Sequence, residues 1–176
     1  LPGVIQPTGF FDPLNFAAKA DEATLKRYRE AELTHGRVAM LATLGFLVGE
    51  KVEGSSFLFD AQVSGPAITH LSQVPPLFWA LLTIGIGAAE QKRLTTGWTD
   101  PSEVPIDKPG MLNADYTPGD IGFDPLGLKP TDPEAYKAMA TKELQNGRLA
   151  MLAAAGFMAQ ELADGKGIVE HLQGMF

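Results

Sequence analysis

The chain has 176 residues and 18.8 kDa, which is the size of a single domain. Fourteen Lys and Arg stand against 21 Asp and Glu, a formal charge of -7, and that sign excludes a protein that tracks phosphate backbones, so no nucleic-acid partner is expected. With no cysteine there is no disulfide framework, no thiolate zinc site, no iron–sulfur cluster and no cysteine nucleophile, so any metal must be held through oxygen or nitrogen.

Along the chain, a Phe11-Asp12-Pro13-Leu14 turn precedes the first apolar run, Val38 to Val48, whose helix is expected over about 28–48. A Pro- and Gly-punctuated loop leads to the second run, Val74 to Ala89, and a helix over about 74–93. The turn sequence returns as Phe123-Asp124-Pro125-Leu126, ahead of a third helix over about 136–162 that carries the run Leu149 to Ala159. Asp164-Gly165 ends that helix, and Ile168, Val169 and Leu172 share a face with His171 nearby, which predicts a short amphipathic surface helix over about 166–173.

Residues 32–46 (ELTHGRVAMLATLGF) and 143–157 (ELQNGRLAMLAAAGF) agree at 10 of 15 positions with a constant offset of 111, an internal duplication in which the middle segment has no twin. Each apolar run is shorter than the roughly 18 residues that announce a membrane span. The cations are nevertheless sorted. Lys19, Lys26, Arg27 and Arg29 precede the first helix and Lys92, Arg93, Lys108, Lys129, Lys137 and Lys142 lie between the second and third, ten in all, whereas the alternate regions carry only Lys51 and Lys166. The positive-inside rule reads this as three transmembrane helices with both basic regions on one side. The expected fold is therefore an all-α membrane protein, one domain over 1–176.

Glu32 and Arg37 in the first helix, and Glu143 and Arg148 in the third, are charges that need partners at such depth. Five residues turn a helix by about 500°, so neither pair closes well within its own helix. Crossing the two helices about a pseudo-two-fold axis would let Glu32 meet Arg148 and Glu143 meet Arg37, with Gly36, Gly147, Ala39, Thr43, Ala150 and Ala154 as the small residues that permit close approach. His35 follows Glu32 by three and Asn146 follows Glu143 by three, and Gln160 continues the Asn146 stripe at another depth. Such isolated oxygen and nitrogen donors suit a cofactor that needs one axial ligand better than a metal cage that needs several.

The duplicated E-x-x-[HN]-G-R-x-A-M, the FDPL segments and the unpaired middle helix resemble the light-harvesting chlorophyll-binding protein family over essentially the whole chain. The GFFDPLNF opening, His35, the LTTGWTDP segment and the ELADGKGI tail are most similar to its fucoxanthin chlorophyll a/c-binding members in diatoms and related algae. The resemblance implies that Glu32, His35, Glu143, Asn146, Gln160, Glu90 and His171 place axial ligands on chlorophyll magnesium, with Arg37, Arg148 and Arg93 as counter-charges. Asp12, Pro13, Leu14, Asp124, Pro125 and Leu126 would lie near the heads of two carotenoids, although a helix-entry turn explains the same residues.

The implied cofactors are chlorophyll a, chlorophyll c and fucoxanthin, with diadinoxanthin as an optional addition. The implied function is a photosynthetic antenna, not an enzyme, that passes excitation to a photosystem. A photoprotective, energy-dissipating member of the same family is the alternative. The implied partners are a photosystem core, neighbouring antenna subunits and thylakoid lipids, in a homo- or hetero-oligomer. The implied place is the plastid thylakoid membrane, with the N-terminus stromal and the C-terminus lumenal. A remote alternative is a di-iron carboxylate bundle built on Glu32-x-x-His35, which is incomplete because Asn146 replaces the second His.

Overall fold

The computed structural model describes residues 3–5, 9–55, 62–104 and 110–174; Lys108, counted above among the sorted cations, lies outside them. Among the described residues there are six helices: α1 (Phe16–Lys19), α2 (Glu22–Val52), α3 (Ala67–Gln73), α4 (Pro76–Gly97), α5 (Pro133–Asp164) and α6 (Ile168–Gln173). Two isolated antiparallel bridges, Ile5 with Gly9 and Trp98 with Leu112, are the β-type pairings seen among them. The fold is all-α, as the patterning requires.

The two long helices begin the same way. Asp21 Oδ1 accepts the Thr24 N–H at 2.9 Å and Asp132 Oδ2 accepts the Ala135 N–H at 2.8 Å, so an Asp N-cap stands at equivalent places in both repeats. Pro133 follows as the first helical residue of α5, where its missing N–H costs nothing. Gly165 closes α5 at φ 68, donating its N–H to the Glu161 carbonyl at 3.0 Å. These caps carry α2 to 31 residues and α5 to 32, beyond the 28–48 and 136–162 expected from the apolar runs with their polar flanks.

The expectation of three transmembrane helices is not met. Among the described residues no single helix is long and apolar enough to cross a membrane, and one bent pair, Ala67–Gln73 with Pro76–Gly97 at 103°, passes by length and composition together. The physical reason lies in the runs themselves. Val38 to Val48 and Leu149 to Ala159 are eleven residues each, so a stretch of about 18 residues takes in polar or charged neighbours such as Thr34, His35 and Arg37. Sorted cations cannot supply the missing hydrophobicity.

The chain divides into two compact units, Leu1–His35 with Gly87–Asn146, and Gly36–Ile86 with Gly147–Phe176. In the first unit, Gly3 donates to Thr141 Oγ1 at 3.3 Å and accepts from Gln145 Nε2 at 3.0 Å, beside Leu144, which is buried. Lys26 Nζ donates to the Ala114 carbonyl at 2.9 Å, and Asn113 N–H to that of Gly97 at 2.9 Å, which ties the loop after α4 to α2 and α4. In the second unit the backbones of α2 and α5 meet at the repeat glycines: a Cβ built on Gly36 would lie 3.0 Å from the Gly147 Cα, and the reverse distance is also 3.0 Å. Ala39, Ala150 and Ala154 are buried along this seam, and Phe46 and Phe157 pack edge to face at 6.0 Å.

Candidate functional site

His35 and Asn146 stand at equivalent positions and are held by the same device. His35 Nδ1 lies 2.7 Å from the Ala31 carbonyl, which can only accept, so Nδ1 carries the proton and Nε2 keeps its lone pair. Asn146 Nδ2 donates to the Lys142 carbonyl at 2.9 Å, which leaves Oδ1 outward. Ala31 and Lys142 are themselves equivalent across the repeat. Both side chains are exposed, each presenting one acceptor atom from a helix surface. Among the described residues no group of three or more His, Cys, Asp or Glu could hold a bare metal ion. A donor set of single, separated ligands fits a metal already chelated in a ring, with one axial position to fill.

At the other end of α5, Gln160, Asp164 and His171 come together. Gln160 Nε2 donates to Asp164 Oδ2 at 2.6 Å, His171 Nδ1 lies 2.7 Å from the same oxygen, and Gln160 Nε2 lies 3.3 Å from His171 Nδ1. The Lys166 N–H, then Gln160 and His171, hold the Asp164 carboxyl below its usual range.

Glu90 and Arg93 pair within α4 at 3.0 Å, as the i,i+3 spacing allows. Arg93 Nη1 also reaches Thr34 Oγ1 at 2.9 Å and Glu30 Oε1 at 3.4 Å. Glu30 is the residue that sequence reasoning missed. It is 2% exposed, and its Oε2 accepts the Tyr116 hydroxyl at 3.1 Å and the Gly119 N–H at 2.7 Å. This buried carboxylate shares Arg93 with Glu90 and fixes the loop ahead of the second FDPL segment. Glu32 pairs within α2 with Arg29 at 3.2 Å, a same-helix partner that the five-residue spacing argument did not consider. None of Glu32, Arg37, Glu143 and Arg148 is without a partner.

The FDPL aspartates build turns. Asp12 accepts the N–H groups of Phe16 at 3.0 Å and Ala17 at 2.8 Å, and Asp124 those of Leu128 and Lys129, both at 2.9 Å. The Lys129 and Leu128 N–H groups hold Asp124 below the usual carboxylate range. With both oxygens engaged by backbone, Asp12 and Asp124 offer little to a ligand. Leu14 and Leu126, at 65% and 78% exposed, are what each turn presents outward, next to Pro13 and Pro125.

Two further carboxylates were unforeseen. Glu50 on α2 accepts the Ile168 and Val169 N–H groups, both at 2.8 Å, and so caps α6. Glu161 on α5 accepts the Ile68 N–H at 2.7 Å and so caps α3. Their signal was present, since the offset of 111 puts Glu161 on Glu50 just beyond the 15 matched residues. Large apolar side chains meanwhile stay on the outside of the helices. Leu41, Leu44, Leu81, Ile84, Leu149 and Leu152 are all exposed, Leu152 at 75%, while the buried apolar residues among those described are Ala39, Ala150 and Ala154 with Val63, Leu144, Ile168 and Tyr116. Such helices bury little against one another, and apolar cover from elsewhere is what they lack.

The family described as Chlorophyll A-B binding protein matches residues 1–162. The chain belongs to this family of light-harvesting chlorophyll-binding proteins. It is 54% identical over 175 residues to Light-harvesting complex stress-related protein 3.2 of Chlamydomonas reinhardtii, covering 98% of this chain and 66% of that protein. It is 49% identical over 165 residues to the Fucoxanthin-chlorophyll a-c binding protein of Isochrysis galbana, covering 94% and 77%. To Chlorophyll a-b binding protein 7 of Solanum lycopersicum it is 34% identical over 176 residues, covering 92% and 61%. The chain thus spans just under two thirds of the length of its stress-related relative. The family resemblance read from the repeat is correct, but the fucoxanthin-type members are matched less well than the stress-related ones. The family is non-catalytic, so the chain is not an enzyme.

Proposed function

We propose that this chain is a photoprotective member of the family, holding chlorophylls and carotenoids and dissipating excitation in preference to delivering it to a photosystem. The higher identity to the stress-related relative favours dissipation over the antenna role first expected. Pigment binding is carried by one observation: His35 and Asn146 each place a side-chain N–H on equivalent carbonyls, which leaves an acceptor atom on each, Nε2 and Oδ1, for a ligand. Chlorophyll, when bound, supplies the excited state. The chain orients it through His35, Asn146, Gln160 and His171, and through Glu32, Glu90 and Glu143 with charge offset by arginine, while the Leu14 and Leu126 turns support carotenoid. Chlorophyll a appears in the names of the fucoxanthin-type and the green-plant relatives alike; chlorophyll c, fucoxanthin and diadinoxanthin remain the narrower proposal.

We place the protein at the chloroplast thylakoid, from the chloroplast location of its relatives. Photosystem cores and neighbouring antenna subunits are the proposed partners. The test is reconstitution of the purified protein with chlorophyll a and mixed carotenoids, followed by pigment counting and fluorescence lifetime. His35→Leu and Asn146→Leu should each lose one chlorophyll, and the wild type should have a shorter lifetime than a chlorophyll a-b binding antenna prepared alike. Unchanged counts would refute the ligands; an equal or longer lifetime would return the harvesting role.

A further inference from the structure

We propose that Asp164 is a positioning residue that sets two pigment ligands, Gln160 and His171, through a single carboxylate oxygen; this rests on the pigment-binding reading above. Asp164 has divided duties. Its Oδ1 accepts the Lys166 N–H at 3.1 Å, anchoring the carboxylate to the turn that follows α5, where Gly165 takes φ 68. Its Oδ2 accepts from Gln160 Nε2 at 2.6 Å and meets His171 Nδ1 at 2.7 Å. A carboxylate oxygen 2.7 Å from a ring nitrogen demands a proton between them, so Nδ1 carries it. The 3.3 Å approach of Gln160 Nε2 to that nitrogen is then a contact between two donors that converge on one acceptor, and not a third hydrogen bond.

The consequence concerns the atoms left over. With Nδ1 protonated, the neutral imidazole keeps its lone pair on Nε2, and with Nε2 of the glutamine engaged, its amide presents Oε1. Those are the two atoms able to bind magnesium. A carboxylate behind a ligating imidazole fixes tautomer and ring orientation and raises basicity. The position of His171 is set independently by Glu50, which caps α6 through Ile168 and Val169, and by Gly167, where a Cβ would lie 2.7 Å from a Glu50 oxygen. The ligand class is a magnesium tetrapyrrole with an open axial position.

The test compares Asp164→Leu with Asp164→Asn, because an amide oxygen can still accept from both ligands. The chain has three histidines, so ring ¹⁵N resonances of the full-length protein in detergent are assigned by comparison with His171→Leu. Wild type and Asp164→Asn should show His171 as the Nδ1–H tautomer, and Asp164→Leu should move it toward Nε2–H. On titration with chlorophyll a, Asp164→Leu should bind the pigment lost in His171→Leu about 10- to 100-fold more weakly, and Asp164→Asn should retain it. If His171→Leu loses one chlorophyll while Asp164→Leu keeps both tautomer and pigment, the pigment reading stands and the positioning role is overturned. If His171→Leu loses none, the ligand reading at this end fails and the proposal fails with it.

Discussion

Replacing Gly36 or Gly147 with alanine separates two opposing effects whose sizes the structure allows to be compared. Alanine inside a helix is favoured over glycine by about 0.8–1.0 kcal/mol. At Gly45 and Gly156, repeat equivalents of each other, an added Cβ meets nothing within 4 Å, so Gly45→Ala and Gly156→Ala should stabilise the protein by about that amount. At Gly36 and Gly147 the new Cβ lies 3.0 Å from the facing Cα. Backbone cannot swing aside as a side-chain tip can, so the helices must part, and overpacking of this kind costs about 1–3 kcal/mol. The net change is a loss of about 0–2 kcal/mol, and the two glycine pairs should differ by about 1–3 kcal/mol. Urea titration of the purified protein, followed by far-ultraviolet circular dichroism, measures both. The double variant Gly36→Ala/Gly147→Ala should also depart from additivity, whereas Gly45→Ala/Gly156→Ala should add within about 0.5 kcal/mol. If Gly36→Ala and Gly147→Ala stabilise as much as the other pair, the close approach of α2 and α5 is not what these glycines serve.

Glu50→Ala removes the acceptor for two α6 amides, so hydrogen exchange at Ile168 and Val169 should accelerate about 10- to 100-fold, the equivalent of the 1–3 kcal/mol cost of orphaned donors; unchanged rates would deny the cap. Asp124, held below the ordinary aspartate value of about 3.9 by backbone N–H groups, should lend its turn stability that is present above that value and lost as pH falls through the depressed folded one; a carboxyl ¹³C titration midpoint at or above it would contradict this.

The duplication made much of the architecture readable, because a repeat transfers every reading at one position to its twin. The pairing of His35 with Asn146, of Gly36 with Gly147 and of Phe46 with Phe157 follows from one offset. What stayed hidden were the carboxylates that bond to backbone. Glu30 looks like any charge near a helix start, and only the fold brings Tyr116 and Gly119 to it from 86 and 89 residues away. The transmembrane expectation failed for a different reason. Counting cations by region measures sidedness, whereas crossing depends on the summed hydropathy of one helix, and the eleven-residue apolar runs of α2 and α5 are too short to outweigh flanking polar and charged residues such as His35, Arg37 and Glu50.

The caps also show why the two copies cannot be treated as two modules. Glu50 lies on α2, in the first repeat, yet caps α6, which follows α5; Glu161 lies on α5, in the second repeat, yet caps α3, which follows α2. Had each copy capped the short helix that follows its own long one, either could complete its backbone hydrogen bonding alone. The exchange means that each short helix depends on the long helix of the other repeat for the acceptor of its first N–H groups. The candidate ligand His171 inherits that dependence. Its place on α6 is fixed by a residue more than a hundred positions upstream, so the geometry of the C-terminal pigment site is a property of the paired repeats and not of the segment that carries it.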